Sequence, residues 1–210
     1  MATKLSPQKV AKVALALIEQ KGLEKFSVRA LAAKLKIEPM SVYHYFPSRL
    51  ALLNAVVDHV LAEITFLPTS EPWRPRLEHA SRAWRNLASK YPGFYSFIAL
   101  HRLNTPNGLK FLEGNMQILL DAGLRKDRAP DYFRIMGYYV TGGALDETTR
   151  FTTGPQSLKP MPDAEMAKVF PNVISFSSRY GQERNDAIFE LGLKIMIDAI
   201  EAESKTARKA

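Results

Sequence analysis

A short stretch beginning at a proline carries a concentrated set of side chains able to recognise another molecule. The set is Pro39, Met40, Ser41, Tyr43 and His44. Hydroxyl and imidazole groups donate and accept hydrogen bonds, whereas proline and methionine offer only apolar surface. Because proline is well tolerated in the first turn of a helix, the stretch is predicted to be a short helix. A short helix with these groups could enter the major groove of DNA.

A helix-turn-helix is predicted to hold these side chains in place. Phe26 and Leu31 flank a serine that can cap the first helix, with the spacing of a hydrophobic staple. Val42 and Phe46, four residues apart, form the apolar side of the second helix. Residues 26–50 therefore favour two short helices joined by a tight turn, with polar groups of the second helix left for a ligand.

Positive charge is concentrated around this segment. The chain has a net charge of +8, and residues 1–49 hold nine Lys/Arg and three Asp/Glu, which gives +6. The remaining 161 residues hold 20 basic and 18 acidic residues, which gives +2. Such an asymmetry is typical of a nucleic-acid-binding surface, and a need for solubility alone would not produce it.

The rest of the chain predicts helices throughout. They are placed at 7–21, from Arg49 to about Phe66, at 75–90, 94–103, 106–122 and 129–153, from 163 with a break at Pro171, and at 183–203. The fold class is therefore all-α, with a three-helix helix-turn-helix DNA-binding domain at 1–49. A connecting helix at 50–67 and a second helical domain at 68–210 follow. Segments 129–153 and 183–203 carry enough apolar surface to favour a homodimer, with burial inside one chain as the alternative.

The composition excludes several kinds of chemistry. Cysteine is absent from the 210 residues, so neither disulfides nor thiolates are available. No apolar run approaches a membrane span, and the first residues have no hydrophobic signal, so we expect a cytoplasmic protein without a membrane partner. The four histidines fall in no HExxH pattern, and neither GxSxG nor a phosphate-binding glycine pattern occurs. We therefore predict no catalytic residue and no cofactor.

Residues 7 to 66 resemble the DNA-binding domain of TetR-family transcriptional regulators. The residues that match the family pattern are Gly22, Ser27, Arg29, Leu31, Ala32, Leu35, Ile37, Ser41, Val42, Tyr43, Tyr45, Phe46, Ser48, Arg49 and Leu52 or Leu53. Lys36 stands where the family usually has glycine, so the turn needs a left-handed lysine at a cost of about 1 kcal/mol. The resemblance implies a homodimeric regulator, usually a repressor, that binds double-stranded DNA and a small-molecule effector.

The resemblance also implies which residues meet DNA. The set is Ser27, Val28, Arg29, Pro39, Met40, Ser41, Tyr43, His44, Tyr45 and Arg49. We predict that Arg29, Tyr43 and Arg49 hold phosphates and so position the protein, although each arginine could be a solvated surface charge. The segment 39–41 and His44 are the candidates for base edges, and His44 could bond a phosphate instead. Tyr45 is predicted to face either the core or a phosphate.

The second half resembles the tetracycline-repressor-like class of the same family, chiefly through FELGLKIMIDAIEA at residues 189–202. We predict an effector cavity among the middle helices, with plain core as the alternative. Its predicted lining is Phe97, His101, Asn115, Leu119, Tyr138 and Thr141, and its aromatic content favours a flat or lipophilic effector. By position, His101 and Asp146 resemble the metal-binding residues of that class. No metal is otherwise assigned.

The leading hypothesis is a homodimeric, ligand-responsive repressor that binds a palindromic operator through a recognition helix near 39–45. A small-molecule effector would release it. One alternative is a helical small-molecule-binding protein or enzyme whose DNA-binding head is vestigial. Another is an architectural DNA protein without sequence preference.

Overall fold

The structure, a computed structural model, describes residues 5–149, 161–177 and 184–207. Within these ranges the chain forms eleven α-helices and no strand, which confirms the all-α prediction. They are α1 (Pro7–Lys21), α2 (Val28–Leu35), α3 (Pro39–Tyr45), α4 (Arg49–Leu61), α5 (Trp73–Lys90), α6 (Pro92–Leu100), α7 (Pro106–Asp121), α8 (Ala129–Thr149), α9 (Asp163–Val169), α10 (Pro171–Ser177) and α11 (Asn185–Ala207). None of these described helices has both the length and the apolar character needed to cross a membrane.

Serine caps begin three of the first four helices. The side chains of Ser6, Ser27 and Ser48 accept hydrogen bonds from backbone amides three residues later, at 3.2, 3.2 and 3.0 Å. Each bond satisfies an amide that the first turn of a helix leaves unpaired. The apolar faces of α1, α2, α3 and α4 then share one buried core. Local sequence therefore fixes where α1, α2 and α4 begin, and these three helices support α3, which begins at Pro39 without a side-chain cap.

The turn between α2 and α3 depends on a left-handed lysine, as predicted. Lys36 has φ 57° and ψ 46°, and its amide donates to the carbonyls of Ala32 and Ala33. A β-carbon makes this conformation unfavourable, whereas glycine adopts it freely. Val42 then points into the core from α3 and is 1% exposed.

Lys36→Gly is expected to stabilise the protein by about 0.5 to 1 kcal/mol, because glycine removes the cost of the left-handed backbone. Thermal unfolding at fixed protein concentration measures the change. Lys34→Gly is the matched control, since Lys34 lies inside α2, where glycine costs about 1 kcal/mol. A destabilised Lys36→Gly variant would show that the lysine side chain contributes more than its backbone costs.

The fourth helix is shorter than predicted. The prediction carried it to Phe66, but α4 ends at Leu61, and the chain leaves it through a tight turn in which the amides of Glu63 and Ile64 bond three residues back. The turn sends Phe66 against α7, where its ring lies 6.3 Å from that of Phe111. Apolar packing against α7 therefore ends the helix before the periodic pattern does.

Polar contacts from α1 and α4 connect the first four helices to the helices that follow. Glu19 on α1 accepts a 3.0 Å hydrogen bond from the amide of Gly93, in the first turn of α6. Its burial raises the pKa of the carboxyl, against the opposing effect of the Gly93 and Phe94 amides. Asp58 on α4 accepts three hydrogen bonds from Asn107 on α7, at 2.7, 2.9 and 3.2 Å. A displacement of α6 or α7 would thus act directly on α1 or α4.

The second half packs α5 against α8 and places α11 beside α8. Arg85 on α5 lies at this junction and donates to both carboxylate oxygens of Glu147, at 2.8 to 3.2 Å. It also pairs with Asp186 at 2.8 Å, and its guanidinium lies 4.4 Å from the ring centroid of Phe189. One arginine therefore joins three helices through ionic and ring contacts.

Candidate DNA interface and ligand cavity

The outer face of α3 is exposed and polar or polarisable. Met40 is 66% and Tyr43 40% exposed, His44 is also exposed, and Pro39 and Ser41 are half-buried. Because Val42 and Phe46 anchor the opposite face in the core, these five residues form the surface that α3 presents. The geometry is that of a recognition helix, short, rigidly backed and free on one side.

The other predicted DNA-binding residues surround this surface in different ways. Arg29 is exposed on α2 and has no partner among the described residues. Arg49 donates to the carbonyl of Leu23 at 3.1 Å and lies 5.8 Å from the ring of Phe26, so its head group is held at the start of α4. A cation fixed at a helix N-terminus can share a bound phosphate with the free amides there.

The side chains of Val28 and Tyr45 lie in surroundings that differ from a simple exposed DNA contact. The side chain of Val28 is 8% exposed and packs in the core, so any contact with DNA would come from its backbone amide in the first turn of α2. Tyr45 is 38% exposed, and its hydroxyl donates to the carbonyl of Leu5 at 3.3 Å. The alternative in which Tyr45 packs in the core is therefore wrong. Ser27, another predicted DNA-binding residue, is exposed and acts as the cap of α2.

A cavity of about 560 Å³ lies among α5, α6, α7 and α8. Five of the six predicted effector-binding residues line it, namely His101, Asn115, Leu119, Tyr138 and Thr141. The sixth, Phe97, does not line it and instead stacks on Phe94 at 5.2 Å, with the His101 ring 5.3 Å away. The volume is in the range that holds a drug-sized molecule.

The inner wall of the cavity is aromatic with a few polar groups. The rings of Trp84 and Phe111 stack at 4.8 Å, and the indole nitrogen of Trp84 donates to the hydroxyl of Thr141 at 3.0 Å. The side-chain nitrogen of Asn115 donates a hydrogen bond to the carbonyl of Phe111 at 2.8 Å, which leaves the side-chain oxygen of Asn115 free to accept a hydrogen bond. Behind Trp84, the Tyr95 hydroxyl is buried, and burial raises its pKa, so it remains a neutral phenol.

His101 connects this cavity to α4. Its Nε2 lies 2.8 Å from the side-chain oxygen of Asn54, so Nε2 carries the hydrogen and donates. In the neutral ring Nδ1 is then an acceptor, and it is buried with no partner within the described part of the chain. A molecule in the cavity that donates to Nδ1, or displaces the ring, would act on the Asn54 contact.

His101 and Asp146, the two residues that resemble a metal-binding pair, lie in different surroundings. Asp146 is exposed, and Nε2 of His101 is held by Asn54. Nowhere in ranges 5–149, 161–177 and 184–207 do three histidine or acidic side chains come together as a metal site would require.

Several residues important for this geometry had no sequence signal that pointed to them. Trp84 and Phe111 fit the apolar stripes of α5 and α7 and so looked like ordinary core. Arg102 and Arg134, which also line the cavity, looked like solvated charges. Asn54 was one polar residue in an apolar helix, and only such a departure from the stripe could have indicated it.

Comparison with known proteins relates both halves of the chain to one family. Residues 11–56 match the family model described as bacterial regulatory proteins, tetR family, and residues 67–204 match the tetracyclin repressor-like C-terminal domain. The class A tetracycline repressor from transposon 1721 of Escherichia coli is 25% identical, over 94% of this chain and 91% of that protein. The class G tetracycline repressor of Vibrio anguillarum is 26% identical, over 95% of each.

Solved structures agree with this relationship. ActR of Streptomyces coelicolor in complex with actinorhodin is 26% identical and superposes with a TM-score of 0.78, over 96% of this chain and 99% of that one. With one family model on the reading head and a second on most of the remaining chain, the protein belongs to the TetR family of bacterial transcriptional regulators.

Proposed function

We propose that the protein is a homodimeric repressor that binds a palindromic operator through α3 and releases it when a small molecule enters the cavity. Part of the proposal is a division into a DNA-binding head at 1–49, a connecting segment at 50–67 and an effector and dimerisation domain at 68–210. The observation that carries it is the path from the cavity through His101 to Asn54 on α4, whose N-terminus adjoins the recognition helix.

The DNA-binding part of the proposal is supported by the exposed face of α3 and the charge around it. Residues 1–49 carry a net +6, as counted above. Arg29, Tyr43 and Arg49 are proposed to hold phosphates, and Met40 and His44 to meet base edges. Since Met40 can contact only apolar features such as a thymine methyl, DNA shape would supply part of the specificity.

The dimer is supported by an apolar stripe on α11 that nothing in the described chain covers. Ile188, Leu191 and Ile195 are 49%, 61% and 53% exposed at spacings of three and four residues, and Ile135 on the neighbouring α8 is 45% exposed. Such a stripe is typical of a helix that packs on another helix. A two-fold pair of α8 and α11 would bury it and present two heads to successive major grooves.

Binding rather than catalysis is proposed for the cavity. The described residues that line the cavity include one histidine and no carboxylate. They therefore provide no pair of side chains for general acid–base catalysis on a ligand in the cavity. ActR in complex with actinorhodin and the tetracycline repressors support a small-molecule effector. We also propose that the protein acts in the cytoplasm, because it must reach an operator on the chromosome.

Fluorescence anisotropy with DNA from upstream of the protein's own gene tests the proposal. Selective binding at moderate salt, compared with a scrambled duplex of the same length, is expected. Equal affinity for both duplexes, with steep salt dependence, would contradict it and favour the architectural alternative.

His44→Ala is expected to lower the ratio of specific to non-specific affinity roughly tenfold, because one base contact contributes about 1–3 kcal/mol of discrimination. The same anisotropy assay on upstream and scrambled duplexes measures the ratio. Arg29→Gln is the matched control, since loss of a phosphate contact should weaken binding to both duplexes alike. An unchanged ratio in His44→Ala would remove His44 from the base-reading set.

A further inference from the structure

We propose that the cavity selects a flat, polycyclic aromatic ligand that carries a negatively charged group, such as an aromatic carboxylate. The inference rests on the proposed effector-binding function and adds the charge of the ligand. It follows from how the cavity distributes its cations, its rings and its unused hydrogen-bonding groups.

Two arginines line the cavity without a carboxylate partner in the described part of the chain. They are Arg102, just after α6, and Arg134 on α8, and both are exposed. The guanidinium of Arg134 lies 4.8 Å from the ring of Tyr138, which is itself 65% exposed and lines the cavity. Exposed residues among the lining mark the opening of a cavity, so both cations lie where a ligand would enter.

Six other arginines of this half contrast with that pair. All four arginines of α5, at positions 74, 76, 82 and 85, are held by carboxylates at 2.6 to 3.2 Å. Arg125 and Arg128 are also ion-paired. No aspartate or glutamate is among the cavity-lining residues. The cavity therefore has positive charge with no internal counter-ion, which favours an anion and disfavours a cationic ligand.

The shape of the anion follows from the inner wall. Trp84 and Phe111 present stacked rings, and stacking or edge-on contact with aromatic faces favours a planar, fused-ring ligand over a flexible chain. Farther in, Nδ1 of His101 and the side-chain oxygen of Asn115 are both unpaired acceptors. They would suit phenol hydroxyls on the ring system, while the acidic group remains near the arginines at the opening.

Isothermal titration calorimetry with three probes tests the inference without DNA. The probes are anthraquinone-2-carboxylate, the neutral anthraquinone-2-carboxamide of the same shape, and dodecanoate, which has the charge without the rings. The carboxylate is expected to bind roughly tenfold or more tightly than either other probe, since a hydrogen bond to a charged group is about twice as strong as a neutral one. In the Arg102→Gln/Arg134→Gln variant the preference over the carboxamide should fall to about threefold or less.

Lys110→Gln is the matched control, because Lys110 is an exposed cation on α7 that does not line the cavity. It should retain the full preference for the carboxylate. Equal or tighter binding of the carboxamide, tightest binding of dodecanoate, or no binding of any probe would overturn the inference. A carboxylate that binds as expected but releases no DNA would instead contradict the proposed function and leave the ligand class standing.

Discussion

Asn54→Ala is expected to abolish most ligand-induced release of DNA while leaving the DNA affinity of the free protein within about threefold of wild type. Under the proposed function, the cavity acts on α4 through the 2.8 Å contact between His101 and Asn54. Removing the Asn54 side chain deletes this connection and changes no residue of α3. Effectors commonly change the affinity for the second ligand, here DNA, by about 5- to 150-fold. The loss of ligand-induced release should therefore be several times larger than the experimental error.

Titration of operator-bound protein with anthraquinone-2-carboxylate, followed by anisotropy, measures this coupling. Asn107→Ala is the matched control, since it removes the two side-chain hydrogen bonds from α7 to Asp58 on α4 but lies outside the lining of the cavity. That control should lower stability and retain ligand-induced release. If Asn54→Ala kept full release and Asn107→Ala lost it, the joint at Asp58, and not His101, would carry the coupling.

Arg85→Ala is expected to destabilise the protein by about 2–3 kcal/mol, less than the roughly 3–5 kcal/mol typical of breaking a fully buried ion pair from one side. The side chains of Arg85 and Glu147 are only 13% and 19% exposed, so alanine would leave a partly buried carboxylate without its bidentate partner. The contact with the ring of Phe189 would also be lost. Urea unfolding at one fixed protein concentration measures the change, because a dimer's stability depends on concentration.

Arg82→Ala is the control for this variant. Arg82 lies on the same helix and also pairs with α11, through Glu190, but the two side chains are 43% and 46% exposed. Exposed pairs contribute at most about 1 kcal/mol, so a small effect is expected. Comparable losses in both variants would mean that burial does not govern the strength of these pairs.

Local patterns predicted the elements better than their packing. The serine cap of α2, the proline at position 39 and the left-handed Lys36 are properties of a few neighbouring residues, and the structure agrees with each of them. The predicted end of α4 at Phe66 was wrong because the ring of Phe66 packs against Phe111 on α7, a residue distant in sequence. No local pattern contains that information.

The cavity illustrates the same limit. His101, Asn115 and Thr141 were predicted to line a cavity among the middle helices, and the fold brings them to one space. Phe97 was predicted together with them but packs on Phe94 instead. Whether an aromatic residue packs in the core or lines a cavity depends on the neighbouring helices, and periodicity gives the same pattern for both.

Hydroxyl-radical footprinting on DNA upstream of the protein's own gene tests the central claim most directly. Two heads held by one dimer should protect two patches in successive major grooves, about 34–36 Å apart along the helix axis. Saturating ligand, added as anthraquinone-2-carboxylate, should remove both patches together. A single protected patch, or uniform weak protection at every sequence, would contradict a dimeric, sequence-reading repressor.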